Sequence, residues 1–290
     1  MSEYSIVNGP GDLPCVELSN RSGRALVSLY GAHVLSFIPA GGEEVLFLSG
    51  HSHYVYGKAI RGGIPVCWPW FGAHPDDPSL PSHGFARIRS WAPAEDCELI
   101  RRDGEEITRL VLELPRAAYP EKPLLPAVRA RLIVEAGRRL RVSLVLKNLS
   151  TEEFHYSGAL HTYFRVGEIA EVSVTGLEGA SCLDSLTGRE EPWHGPVRFS
   201  EEFDRVFYSD AACVIHDPSL GREIRVEKSG SNSTVVWNPW TAKSARMSDF
   251  GDDEFHRMLC VETAFARRDA RILPPGGEAV HTAVIGVSRG

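Results

Sequence analysis

The clearest pattern along the chain lies between positions 127 and 148. In AVRARLIVEA, Val128, Ala130, Leu132 and Val134 fall at every second position, with arginines mostly in between. A Gly-Arg turn follows, and RLRVSLVLKN repeats the alternation with Leu140, Val142, Leu144 and Leu146. Successive side chains on a strand point to opposite faces, so each segment has one apolar face and the pair predicts an antiparallel hairpin. Shorter runs of the same period occur at 25–30, 45–48, 108–114, 223–227, 234–237, 259–263 and 280–287. Pro-Gly, Gly-Gly, Asn-Gly and Asp-Gly turn signals punctuate them. Only 248–258 has helical potential, and Gly251 weakens it. No internal repeat, linker or low-complexity tract divides the chain. Many closely spaced strands with almost no helix predict an all-β fold, a large antiparallel β-sandwich or barrel, with residues 1–290 forming one domain.

Charge and cysteine usage narrow the setting. The formal net charge is -7 over 290 residues, and no basic stripe or lysine-rich tail is present. Neither nucleic acid nor an anionic membrane is therefore an expected partner. The start, MSEYSIVNGPGDLP, is not a charged segment leading into an apolar one. No run reaches the ~20 apolar residues of a membrane span. The six cysteines, Cys15, Cys67, Cys97, Cys182, Cys213 and Cys260, are scattered without a C-x-x-C spacing. Free thiols in a reducing compartment suit that distribution. The expectation is a cytoplasmic protein.

Candidate chemistry sits where polar groups interrupt apolar strands. His161, in SGALHTYFRV, is either a core histidine tied to a backbone carbonyl or a group projecting into a cleft. Glu262, in MLCVETAF, shares its face with Cys260 and Ala264, so it is either a solvent-facing residue or a buried carboxylate with a raised pKa suited to accept a proton. Asp204, in EFDRVFYS, stands just before a short aromatic strand, where an acid is more often a turn residue or a surface partner of Arg205. The stretch IRGGIPVCWPWFG is too rich in proline and glycine for a regular strand or helix. It runs from Arg61 towards His83 and Arg87, and holds Trp68, Trp70 and Phe71. The two arginines either pair with Asp76 and Asp77 or converge on an anion, for which guanidinium forks are shaped. The aromatics are mostly core filler, or else a wall for a sugar ring. His51 with His53, and Asp252 with Asp253, have no recognised metal spacing. No phosphate-type glycine loop and no G-x-S-x-G elbow occurs.

Taken together, RGGIPVCWPWFG, HGFAR, ALHTYF, DRVF, VVWNPW and DFGDDEFHRMLCVETA resemble the hexose-6-phosphate 1-epimerases, a branch of the aldose 1-epimerase (mutarotase) superfamily. The resemblance runs over most of the chain, with the motifs in the family's order. It implies a galactose-mutarotase-like β-sandwich and cofactor-independent interconversion of α and β anomers. It implies His161 as catalytic acid, Glu262 as catalytic base, and Arg61, Arg87, Asp204 and His83 as substrate contacts, with no metal. Some relatives carry glutamine where this chain has Ser82, whose shorter side chain reaches less far. A sugar phosphate acted on by a monomer is the expected arrangement. A mutarotase for unphosphorylated aldoses, a carbohydrate-binding protein, and a retaining glycosidase using Asp204 with Glu262 are the alternatives.

Overall fold

The computed structural model describes residues 5–94, 98–119 and 126–289. The predicted hairpin is present as Val128–Ala136 and Leu140–Asn148. Its register places Val142 opposite Val134, Leu144 opposite Leu132 and Leu146 opposite Ala130. The two apolar faces coincide, and all of these residues are buried. A slip of one residue would turn every one of them outward, so the alternation itself fixes the register.

This hairpin lies inside a ten-stranded antiparallel sheet. Glu278–Arg289 pairs with Leu140–Asn148 on one side, and Glu105–Glu113 pairs with Val128–Ala136 on the other. A second, eight-stranded sheet is built around Met258–Phe265. A four-stranded sheet of the N-terminal segment adds Pro14–Asn20, Gly23–Ser28 and His33–Pro39. One core joins inward residues from all three, among them Val142 and Leu132, Val236 and Val261, and Val27 and Phe37. The fold is all-β, as the alternation predicts. Cys15, Cys67, Cys182, Cys213 and Cys260 are free and buried; Cys97 lies outside the described residues.

Two expectations need correction. The stretch 248–258 does not form an α-helix; it contains a single 3-10 turn, Glu254–Arg257. The Glu254 carboxylate accepts from the backbone N–H groups of Gly251 and Gly50, and so satisfies locally a donor that a helix would pair with a carbonyl. The α-helix among the described residues is instead Trp240–Ser244, where Asn238 Oδ1 accepts from the Trp240 N–H. Residues 45–48 alternate as predicted but join no ladder. Leu46 and Leu48 make isolated bridges, to Phe164 and Gly62.

The Pro- and Gly-rich stretch is irregular apart from Val66–Cys67, which pairs with Gly158–Leu160. Two glycines let it pack. At Gly62 (φ +113°) a Cβ would lie 2.3 Å from the Phe47 carbonyl oxygen, and at Gly84 (φ +72°) 2.0 Å from that of Trp68. Each lies next to a residue singled out in the sequence, Arg61 and His83. Trp68 is fully buried, with Phe85, Phe154 and Tyr119 within about 6 Å between ring centroids. Trp70 is buried and donates its indole N–H to the Pro81 carbonyl. These two tryptophans are core filler.

Candidate active site

Met258–Phe265 is buried along all eight residues. Its neighbours are Ser233–Asn238 on one edge and, on the other, Gly158–Leu160 followed by Tyr163–Arg165. His161 occupies the two-residue break between those last strands. Its backbone N–H donates to the Pro65 carbonyl at 3.1 Å. Its ring stacks on Tyr163, with centroids 4.8 Å apart and planes 13° from parallel. Freed from the ladder, the imidazole turns towards Glu262, which sits opposite Val235 in the sheet. His161 Nε2 lies 3.2 Å from Glu262 Oε1, with side chains 10% and 1% exposed.

Burial decides the protonation of this pair. It pushes the Glu262 carboxyl well above its ordinary range, and the Asp204 carboxylate adds to that effect while Arg87 opposes it. Burial also holds His161 well below the usual histidine value, helped by His83, Arg87 and Arg61. Both shifts favour the uncharged forms, which keeps the proton on Glu262 and the imidazole neutral.

The pair lies at a cavity of about 350 Å³. Phe71, Tyr163 and Trp237 supply its aromatic lining, and Arg61, Lys243 and Arg267 its cations. His83 lines it too, at φ +63°, with its ring centroid 5.8 Å from that of His161. The Gly72 N–H donates to His83 Nδ1 at 3.3 Å, which leaves the hydrogen on Nε2. Burial first, then the charges of Arg87 and Arg61, lower the His83 pKa to about 3. A neutral donor results. Asp204 also lines the cavity, 3.8 Å from Lys243 Nζ, and burial raises its carboxyl.

The arginines differ. Arg61 lines the cavity and grips Asp249 through Nε and Nη2 at 3.1–3.2 Å, while Nη1 donates to the Tyr163 hydroxyl at 2.9 Å. Its acid partner is Asp249, not Asp76 or Asp77. Arg87 donates to the Ser82 carbonyl at 2.9 Å and is not among the lining residues, though its charge acts on His83, His161 and Glu262. Ser82 is exposed and does not line the cavity.

Asp249, Lys243 and Arg267 were not marked in the sequence. Arg61 and Asp249 are 188 residues apart, and no local pattern joins them. Tyr163 had a signal, since it follows His161 by two residues in a strand-like run. Arg267 is exposed, at φ +58°, and its side chain makes no hydrogen bond or ion pair among the described residues.

The profile of the aldose 1-epimerase family matches residues 14–286. The chain belongs to the aldose 1-epimerase family. As a member it is an isomerase. A protein of Escherichia coli (strain K12), provisionally named a glucose-6-phosphate 1-epimerase, is 37% identical over 264 residues, spanning 90% of this chain and 86% of its own. One from Cenchrus ciliaris with the same provisional name is 37% identical over 278 residues, 93% of this chain and 83% of its own. The crystal structure of a provisionally assigned mutarotase from Salmonella typhimurium superposes with a TM-score of 0.86 at 31% identity, covering 99% of this chain and 97% of that one. A galactose mutarotase-like protein of Clostridium acetobutylicum shares the fold, with a TM-score of 0.70 at 15% identity over the full length of both chains. This aldose 1-epimerase is thus an all-β enzyme of the galactose-mutarotase-like type. Among its described residues no helix is long and apolar enough to cross a membrane.

Proposed function

We propose that the protein interconverts the α and β anomers of a hexose 6-phosphate, glucose 6-phosphate foremost, by acid–base opening and closing of the sugar ring. The observation that carries this reading is the buried pair His161–Glu262, 3.2 Å apart at a cavity with three cationic residues in its lining. The names of the relatives support the substrate.

Ring opening needs one proton taken from the anomeric hydroxyl and one given to the ring oxygen. Glu262, ionised, takes the first, and His161, protonated, gives the second. The C1–O5 bond breaks, the aldehyde turns about C1–C2, and closure on its other face reverses the two transfers. A pair that shares one proton reaches this working form by passing it from Glu262 to His161 across their 3.2 Å contact. Each positioned transfer contributes roughly a hundred- to ten-thousandfold. His83 donates its Nε2 hydrogen to a sugar oxygen, and Asp204 accepts from sugar hydroxyls. Phe71 and Trp237 flank the ring.

Arg61 and Arg87 are assigned to the substrate's anionic end, Arg61 by contact and Arg87 through its field. Arg267 adds a cation at the lining. The enzyme works in this reading as a single domain, a cytoplasmic monomer without cofactor. A pure binding protein has no use for a buried acid–base pair. A retaining glycosidase would set two carboxylates to work together, whereas Glu262 lies 3.2 Å from a histidine and Asp204 lies beside Lys243. Polarimetry on freshly dissolved α-glucose 6-phosphate and α-galactose separates the remaining readings. A higher kcat/KM for the phosphate supports this one, and a higher value for galactose rejects it.

A further inference from the structure

The chemistry above leaves one neighbour of the catalytic pair unused. Cys260 precedes Glu262 by two residues on Met258–Phe265, so both side chains leave the same face of the strand. Ligand atoms of His161, Cys260 and Glu262 all lie within 4.8 Å of one another, and all three residues are buried. Two polar atoms of this cluster, His161 Nδ1 and Glu262 Oε2, have no hydrogen-bond partner among the described residues. Buried polar atoms are normally paired, so a cluster that leaves two of them without a partner is incompletely satisfied as it stands. The 3.2 Å between His161 Nε2 and Glu262 Oε1 is the spacing of two ligands about 2 Å from a common ion.

One imidazole, one thiolate and one carboxylate make a mixed nitrogen, sulfur and oxygen set. Such sets suit a borderline or soft divalent ion, whereas calcium and magnesium require oxygen cages. Three protein ligands with a fourth position open to a cavity is the form of an accessible zinc site. We propose that His161, Cys260 and Glu262 form an inhibitory site for such an ion, Zn²⁺ foremost. The ion enters from the sugar cavity, and the proton on the thiol and the one shared by the pair leave to water as three metal–ligand bonds form. It then holds the lone pairs that anomerisation needs. The inhibitory half of this inference rests on the proposed function; the binding half does not.

The test uses the intact protein, stripped with a chelator, and cobalt(II) as the probe. Wild type should develop the intense near-ultraviolet charge-transfer absorption of a cobalt–thiolate bond, and Zn²⁺ should abolish it by displacement. Cys260→Ala and Cys260→Ser, shown by melting curves to be folded, should lack the band. In parallel, Zn²⁺ should inhibit turnover of α-glucose 6-phosphate by wild type, reversibly with EDTA. The folded variants should keep most of the activity and need at least about tenfold more zinc for the same inhibition. A wild-type protein without the band, or variants as zinc-sensitive as wild type, overturns the site. A band in a protein that turns over no hexose would uphold the metal site and overturn the anomerase reading.

Discussion

The hairpin Val128–Ala136/Leu140–Asn148 and the strand Met258–Phe265 sit in the two large sheets of one molecule and obey different rules. In the hairpin, apolar residues face the core, and the polar face is laced by ion pairs such as half-buried Arg131 with Glu113 and Arg141 with buried Glu135. In Met258–Phe265 both faces are buried, and Glu262 is buried with them. A carboxylate on such a strand costs free energy that packing alone cannot explain. The hairpin is sequence used for folding; Glu262 is, in the proposed function, sequence used for chemistry.

The sharpest break of that comparison is His161→Ala. It should lower kcat by a hundred- to ten-thousandfold while the melting temperature changes little, because the ring lines a cavity. Polarimetry beside a melting curve checks it. Near-normal turnover would move the acid elsewhere.

Leu144→Ala should do the reverse. Leu144 faces Leu132 in a fully buried position, and such truncations cost about 2–5 kcal/mol. Urea unfolding should show the loss, with kcat at low temperature nearly unchanged.

A pH effect on stability comes next. His33 Nε2 donates to the Gly62 carbonyl, and His281 stacks on Phe265 with Tyr156 edge-on beside it; burial lowers the pKa of each to about 4. Their unfolded value is 6.5, so the unfolded chain takes up protons first as pH falls. Their contribution is complete above pH 6.5 and is lost between 6.5 and about 4, at most about 3 kcal/mol for each. The urea midpoint should therefore drop between pH 7 and pH 4.5, and less steeply in His281→Gln. An unchanged midpoint would place these imidazoles in water.

The smallest effects concern the cations. Arg61→Ala should reduce the preference for a 6-phosphorylated over a free hexose by roughly ten- to a hundredfold, as for a charge-assisted contact. Because Arg61 also grips Asp249, Asp249→Asn tests the grip alone. If both variants damage both sugars equally, Arg61 only braces the loop. Arg267→Ala should change the preference by a few-fold at most, since it is exposed to screening water.

Legibility in the sequence follows the range of the interactions. Val128 to Leu146 were readable because period two is local, and His161 and Glu262 because each breaks such a period. That His161 meets Glu262, 101 positions further along the chain, is a product of sheet order, which alternation does not encode. The same holds for Arg61 with Asp249. The weak helical potential at 248–258 is not realised, and there Glu254 takes the backbone donors of Gly50 and Gly251. Arg267 and Lys243 stand outside any alternating run, so no broken period marked them.

The central claim is that the buried Glu262, partnered by His161, drives anomer exchange. Proton NMR can follow α-glucose 6-phosphate to anomeric equilibrium at several concentrations of wild type and of folded Glu262→Gln. The account predicts a rate that rises in proportion to wild-type concentration, and only a small fraction of that slope for Glu262→Gln. Wild type that leaves the spontaneous rate unchanged, or a glutamine variant that matches wild type, would contradict it.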